Sequence, residues 1–492
     1  MPSANDFTVL LPVIALVVGA CVLLLSEVSL TRHEHERGYQ VGIAAFTAAL
    51  AFLLSVVQLE TPARPIFFGA AQGDPFQAFI GATVAAGLFV SCLISAGFLR
   101  RHGAERGEFY ALLLFAAAGM MLLAMSADLM MIFISLEVMS VAIYALTAWL
   151  RRGQRPTEAA FKYFILGAFS SALYLYGTAL VWGATGTTRI AALALPGSVF
   201  TETVIGPGIA LLAVGFAFKV AAVPFHMWAP DVYEGAPTPV TAFMAVGVKA
   251  AAFAAFLRVM AVGFNGTPEL TERWAPFITV IAGLTMLVGN LLALPQRNVK
   301  RMLAYSSIAH AGYLLVGLAS ASHYGAKRAA AEGILFYLAA YTFTAVGAFG
   351  TVAALERKDS DVATAWDLDR FAGLGKRNPL LAFFMAAFML SLAGVPPTAG
   401  FMGKLFVFKA AIDADKVGLA ILGMISSAIG AYYYLRVVVY MYFRDPEPKQ
   451  GDDERLPVLE FGLAIAAAMV VVLGVGPETI AEAARRGAQL LG

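Results

Sequence analysis

An all-α polytopic membrane protein is the fold class this sequence predicts, and three observations carry the expectation. Hydrophobic residues fill 60% of the 492 positions and charged ones only 13%, at a mean hydropathy of +0.77; a water-soluble domain carries roughly a quarter charged residues. The apolar residues come in runs of about 20, enough helix to cross a hydrocarbon layer ~30 Å thick. Basic residues between these runs are rich in one loop and poor in the next, as alternating sides of a membrane require.

Fourteen spans are read, at 7–30, 39–59, 76–99, 109–127, 129–150, 159–183, 204–228, 237–263, 274–295, 299–321, 329–355, 379–412, 416–443 and 457–476. The opening MPSANDF lacks the positive n-region of a cleavable signal, so span 1 is expected to be retained. Loops after odd-numbered spans hold 19 Lys and Arg, and loops after even-numbered spans hold 6. The excess belongs in the cytoplasm, which puts both termini on the non-cytoplasmic side of a cell (inner) membrane.

Two spans are interrupted, span 7 by Pro224 and Pro230 and span 12 by Gly394, Pro396, Pro397, Gly400 and Gly403. Proline has no N–H and clashes with the preceding turn. Such breaks survive at membrane depth only where protein or water satisfies the freed groups. Pro224 and Pro396 stand 172 residues and five spans apart, and matched interruptions in two halves point to inverted repeats with an ion path at the breaks. The expected organisation is 1–107 for spans 1–3, 108–263 for a first inverted five-helix repeat of spans 4–8, 264–444 for a second of spans 9–13, and 445–492 for span 14 and a tail.

Several functions are excluded. A net charge of +2 without a long basic run argues against nucleic acid, leaving membrane lipid as the medium. Cys21 and Cys92 cannot supply the four thiolates of an iron–sulfur cluster. No dinucleotide or phosphate-binding glycine motif occurs in a strand-to-helix context. No cofactor or metal is expected in this chain, and any redox chemistry belongs to partner chains.

Five ionisable residues fall inside spans and away from their ends: Glu137, Lys162, Lys219, Lys249 and Lys404. Each costs ~2.5–3.5 kcal/mol at a helix centre, and such residues usually mark an ion path. Glu137 lies ~13 Å into span 5. Its expected partner is Lys162, the only intramembrane charge of span 6. A lysine removed from water favours its neutral form, so it can load and unload a proton near neutral pH. His226 at the break in span 7 and His310 in span 10 suit a relay, since imidazole titrates near neutrality, although a lone histidine in a bundle is often a packing residue. Asp231 and Glu234, in the lysine-free seventh loop, read either as a proton-gathering mouth or as a solvated turn. Arg436 and Lys409 are expected to snorkel or to pair with a loop.

At these residues the chain resembles the antiporter-like membrane subunits of respiratory complex I, with the pattern of the subunit N family of bacterial NADH:quinone oxidoreductase. The likeness runs from span 2 to span 14 and is carried by SLEVMSVAIYALTAW (135–149), EAAFKYFILGAFSSALYLYG (158–177), VPFHMWAPDVYEGAPTPVTAF (223–243), NVKRMLAYSSIAHAGYLL (298–315) and GVPPTAGFMGKLFVF (394–408). Sister subunits L and M carry a histidine-containing run where this chain reads FMAVGVKAAAF, subunit M has a glutamate in place of Lys404, and subunit L continues into a long lateral helix. The resemblance implies proton translocation coupled to NADH-to-quinone electron transfer, with NADH, FMN, iron–sulfur clusters and quinone in partner subunits. It also implies contacts with subunit M and the small subunits K, J and A. Glu137, Lys162, Lys219, Lys249, Lys404, His226 and His310 match the family's proton-path positions. A stand-alone cation/proton antiporter and a purely structural spacer are the competing readings.

Overall fold

Apolar runs become helices here because a backbone in lipid must satisfy its own N–H and C=O groups. The computed structural model describes residues 4–30, 38–150, 154–193, 199–356, 366–445 and 455–489. In order the helices are α1 Ala4–Leu30, α2 Tyr39–Gln58, α3 Pro75–His102, α4 Gly107–Met125, α5 Leu129–Thr147, α6 Gln154–Thr185, α7 Val199–Lys219 and α8 Trp228–Gly235. There follow α9 Thr238–Gly263, α10 Pro268–Ala293, α11 Val299–Ser320, α12 Lys327–Leu355, α13 Pro379–Ala393, α14 Ala399–Asp413, α15 Val417–Phe443, α16 Pro457–Val475 and α17 Glu478–Ala488. Among the described residues, 12 helices are long and apolar enough to cross a membrane.

Span 12 divides at its prolines into α13 and α14, whereas span 7 ends early, with α7 at Lys219, and the short α8 falls almost wholly in the stretch expected to be the seventh loop, so that Asp231 and Glu234 lie on a helix and not in a turn. Gly394, at φ 85°, ends α13 in the left-handed conformation that glycine adopts without a Cβ penalty. Two elements were not legible as such. A short antiparallel hairpin pairs Arg64–Ile66 with Ala71–Gly73. The tail forms the amphipathic α17, which buries Ala481, Ala484 and Ala488 and ties Arg485 to Glu332 and Arg486 to Glu60.

The loops sort onto two faces. Those after odd-numbered spans bond to one another: Trp149 to Ala104 O at 3.0 Å, Arg101 to Ala354 O at 3.0 Å, Arg301 to Glu234 at 2.8 Å and Lys376 to Asp445 at 2.7 Å. Those after even-numbered spans do the same, with Ala127 N donating to Ala70 O at 2.9 Å and Asn265 to Ala321 O at 3.1 Å. Thr8 near one end (2.8 Å from Arg64) and α17 at the other both bond to the even face. Of the basic residues that set the sidedness, Arg32, Arg37, Arg151, Arg152, Arg357, Lys358 and Lys449 lie outside the described residues.

Depth varies sharply between helices. The span-length window of α9 is 100% buried and that of α11 94%, whereas those of α1, α6 and α15 are each 39% buried. The central helices therefore meet protein on every side, and a charged group they carry must find its partner there.

Candidate functional site

The breaks place ammonium groups where backbone acceptors have been freed. In a continuous helix the carbonyls of Leu392 and Ala393 would accept from the N–H four residues on. Those residues are Pro396 and Pro397, which have none. Lys404, on α14, reaches back and supplies both bonds, at 2.8 and 2.9 Å, and a third to Ser427 Oγ at 2.7 Å. Its Nζ also lies 5.2 Å from the Tyr313 ring centre.

Lys219 is the last residue of α7, so its ammonium sits at a helix C-terminus, where the macrodipole favours a cation. It donates to Ser140 Oγ at 2.9 Å and lies 5.8 Å from the Tyr144 ring centre. Lys219 precedes its break in sequence and Lys404 follows its own; the Lys404 ammonium binds the freed carbonyls at the end of α13, whereas that of Lys219 is held by a hydroxyl on α5. Ser140 is one turn beyond Glu137 on α5, on the same helix face, and brings Glu137 within electrostatic reach of Lys219.

Lys249, on the wholly buried α9 directly after a π-helical turn at Met244–Val248, donates to Ser307 Oγ at 2.7 Å and, more closely, to Ser307 O. One turn further along α11 is His310, only 2% exposed. Its Nδ1 meets Tyr337 OH at 2.7 Å and its Nε2 meets Tyr434 OH at 3.2 Å. The imidazole is within electrostatic reach of both Lys249 and Lys404. Two polar clusters result, one of Glu137, Ser140 and Lys219 and one of Lys249, Ser307, His310 and Lys404.

Two expectations need correction. Glu137 does not pair with Lys162; Ser171 Oγ donates to its Oε1 at 2.5 Å. Lys162 instead binds Glu158 at 2.7 Å and Asp231 at 3.1 Å, with 41% of its side chain exposed. The reason is geometric: α5 and α6 run antiparallel, and Ser171 and Lys162 are separated by ~13 Å of helix rise, so only Ser171 comes level with Glu137. Lys162 is therefore part of an odd-face group in which Asp231 and Glu234 also hold Arg301 at 2.9 and 2.8 Å. His226 lies half-buried at the break, and among the described residues its Nδ1 has no hydrogen-bond partner. Arg436 caps the end of α10 through Leu294 O at 2.9 Å and Gln296 O at 2.5 Å, while Lys409 is exposed.

Sequence reasoning passed over a sixth intramembrane charge. Arg258 on α9 and Asp74 at the N-cap of α3 form an ion pair at 2.9 Å with side-chain exposures of 3% and 1%. Arg258 also donates to Ala124 O at 3.1 Å, joining α3, α4 and α9. An arginine inside the apolar 237–263 run and an Asp-Pro helix start were both visible signals; their pairing was not.

Helices broken at prolines, with buried ammonium groups at both breaks and between them, define a polytopic membrane chain of the antiporter-like class. The profile described as NADH:quinone oxidoreductase/Mrp antiporter, TM, matches residues 126–430, and the chain belongs to that family. It is 54% identical to the NADH-quinone oxidoreductase subunit N of Myxococcus xanthus (strain DK1622), over 97% of this chain and 96% of that one. A chain of respiratory complex I from Thermus thermophilus with bound aureothin superposes with a TM-score of 0.79 at 34% identity, covering 97% of this chain and 100% of that chain. A chain of the Mrp complex from Dietzia sp. DQ12-45-1b shares the fold, with a TM-score of 0.82 at 22% identity and 97% coverage of each.

Proposed function

We propose that this chain is the subunit N-type proton-translocating membrane subunit of NADH:quinone oxidoreductase. It is one member of an enzyme complex whose other subunits carry electrons from NADH through FMN and iron–sulfur clusters to quinone. The observation that carries the reading is the placement of Lys219, Lys249 and Lys404 at and between two helix breaks, each ammonium within hydrogen-bond distance of a serine hydroxyl. Glu137 modulates Lys219, Lys249 and His310 pass the proton laterally, and Lys404 releases it; Lys162 with Asp231 collects protons at the odd face, and His226 relays at the first break. Moving one charge against 100 mV costs ~2.3 kcal/mol.

The subunit sits in the cell (inner) membrane with odd-numbered loops in the cytoplasm, both termini opposite, and antiporter-like subunit M and small subunits K, J and A as neighbours. Residues 108–263 and 264–444 form the two inverted repeats. Matching backbone pairs support this. Leu129 N donates to Thr188 O and Ile190 N to Ala127 O on the even face; Val299 N donates to Trp366 O and Leu368 N to Arg297 O on the odd face. The close helix contacts match as well: a Cβ on Gly119 would lie 2.6 Å from Met139 N, and one on Gly289 2.6 Å from Ala309 N, each pair displaced by 170 positions (289 against 119, 309 against 139).

Lys219→Ala in the intact complex is the test. Loss of NADH-driven proton pumping with assembly and cofactor content retained supports the reading, and undiminished pumping removes Lys219 from the path. Cation transport by the purified chain alone would favour a stand-alone antiporter.

A further inference from the structure

Proline alone does not end α7 where it ends. Pro224 lacks an N–H and so frees the carbonyl four residues back, that of Val220. Val223 still carries an N–H, which a continuous helix would give to Lys219 O. That N–H goes instead to Thr285 Oγ1 on α10, at 2.9 Å. The threonine hydroxyl in turn donates to Ile281 O, one turn back on its own helix, so its proton is committed and a lone pair is left to accept. Thr285 is fully buried, and α10 is fixed at this level by α15: Ser426 Oγ donates to Met286 O at 3.0 Å and Tyr433 OH to Asn290 Oδ1 at 2.8 Å. On the α7 side the last turn closes as a Schellman cap, with Ala222 N donating to Ala217 O at 2.8 Å and Ala221 N to Phe218 O at 3.0 Å. The residue at its left-handed position is Ala221, at φ 58°, where glycine is usual because a Cβ makes this conformation costly. Left to itself, the strained alanine would return to the helical region and let α7 grow by one more turn.

We propose that Thr285 is a positioning residue for proton translocation, a latch that takes the Val223 N–H and so keeps Lys219 at the open end of α7. This rests on the proton-path reading above and adds to it a residue that carries no proton itself. The field of a helix end favours a cation within the last turn only. Were the Val223 N–H to return to Lys219 O, Ala221 would leave the left-handed region and α7 would run four residues further, about 6 Å. Lys219 would then be an interior residue of a helix whose end had moved away from it. Thr285 Oγ1 and Lys219 O compete for one donor, so the two backbone states differ by one hydrogen bond and one strained residue, a difference small enough for a single hydroxyl to decide. A threonine hydroxyl that only satisfied itself would need no partner beyond the carbonyl one turn back. Thr285 has a second partner, and it is the N–H on which the length of α7 depends. The latch also comes from 264–444, so the lysine of one proposed repeat is held in place by a helix of the other.

The test uses the assembled complex in inverted membrane vesicles and compares NADH-driven acidification, at equal complex content, in Thr285→Val, Thr285→Ala and Thr285→Ser, the first two also combined with Ala221→Gly. Valine keeps the shape of threonine and loses the hydroxyl; pumping falls about three- to tenfold, the ratio that one net hydrogen bond controls. Alanine, which empties space where valine refills it, gives a fall in the same range, and serine, which keeps the hydroxyl, restores pumping. Glycine at 221 adopts the left-handed conformation without strain and disfavours a longer helix, so it returns both hydroxyl-less variants toward wild-type pumping. A hydroxyl that served only the packing of α10 would not be repaired by a glycine on α7. Full pumping by Thr285→Val or Thr285→Ala overturns the latch, and so does a loss of pumping or of assembly that Ala221→Gly leaves unrepaired. Full pumping by Lys219→Ala overturns the underlying path instead, so the two failures are told apart.

Discussion

Replacing Lys404 by methionine and, separately, by arginine divides what this residue does for the fold from what it does for protons. Methionine leaves Leu392 O, now bonded at 2.8 Å, without a donor in a buried site, and leaves Ala393 O, now bonded at 2.9 Å, with only the longer bond from Ser427 Oγ at 3.4 Å. At about 1–3 kcal/mol for each group so affected the loss is at most about 6 kcal/mol. Against it stands the ~2.5–3.5 kcal/mol no longer needed to hold a charged amine near a helix centre. The net destabilisation therefore stays below about 4 kcal/mol, and Lys404→Met assembles. Arginine keeps several donors in reach of both carbonyls and costs less stability than methionine. Its guanidinium stays protonated throughout the physiological range, so releasing its proton at pH 7 costs about 7 kcal/mol, or roughly five orders of magnitude in rate. Thermal unfolding of the purified complex should rank wild type, then Arg, then Met, while NADH-driven acidification of inverted vesicles is lost in both variants. An arginine variant that pumps at the wild-type rate would refute the need for Lys404 to unload. A methionine variant more stable than the arginine one would refute the capping of α13.

Two further outcomes are expected. Glu137→Gln keeps an acceptor for Ser171 and assembles normally but lowers pumping, whereas Lys162→Met has a smaller effect, because its 41%-exposed side chain sits in surface pairs typically worth under ~1 kcal/mol; equal losses in vesicle assays would sink the coupling of Glu137 to Lys219. Arg258→Met strands the Asp74 carboxylate in the interior and destabilises the chain by about 3–5 kcal/mol. Adding Asp74→Asn, which keeps the N-cap bond to Gln77 N (2.7 Å in wild type), restores most of it in thermal unfolding, and a double variant no better than the single one would show that the stranded charge is not the cause.

The elements that hydropathy and proline placed in advance match the helices closely. Span 5 was read as 129–150 and α5 is Leu129–Thr147; span 14 was read as 457–476 and α16 is Pro457–Val475. The candidate residues were legible for the same reason that they are costly: a lysine in an apolar run is conspicuous wherever the chain folds. Less legible were the groups whose role depends on company. Tyr337, Tyr434, Ser140 and Ser307 look like ordinary residues of apolar helices until the bundle brings them to an imidazole or an ammonium. Arg258 and Asp74 belong to helices far apart in the chain, and each taken alone reads as an end-of-helix charge.

What the sequence by itself determined is local: how many residues run without charge, which prolines remove a backbone donor, and which basic residues fall in each loop. Each of these acts within a turn or two of chain, or against the bilayer, and needs no knowledge of neighbours. The tertiary structure alone decided the pairing of charges, giving Glu137 to Ser171 and the neighbourhood of Lys219, and giving Lys162 to Asp231. Electrostatic and hydrogen-bond energies are set over a few ångströms in space, and residues tens of positions apart in sequence reach that range only once helix tilt, register and direction are settled.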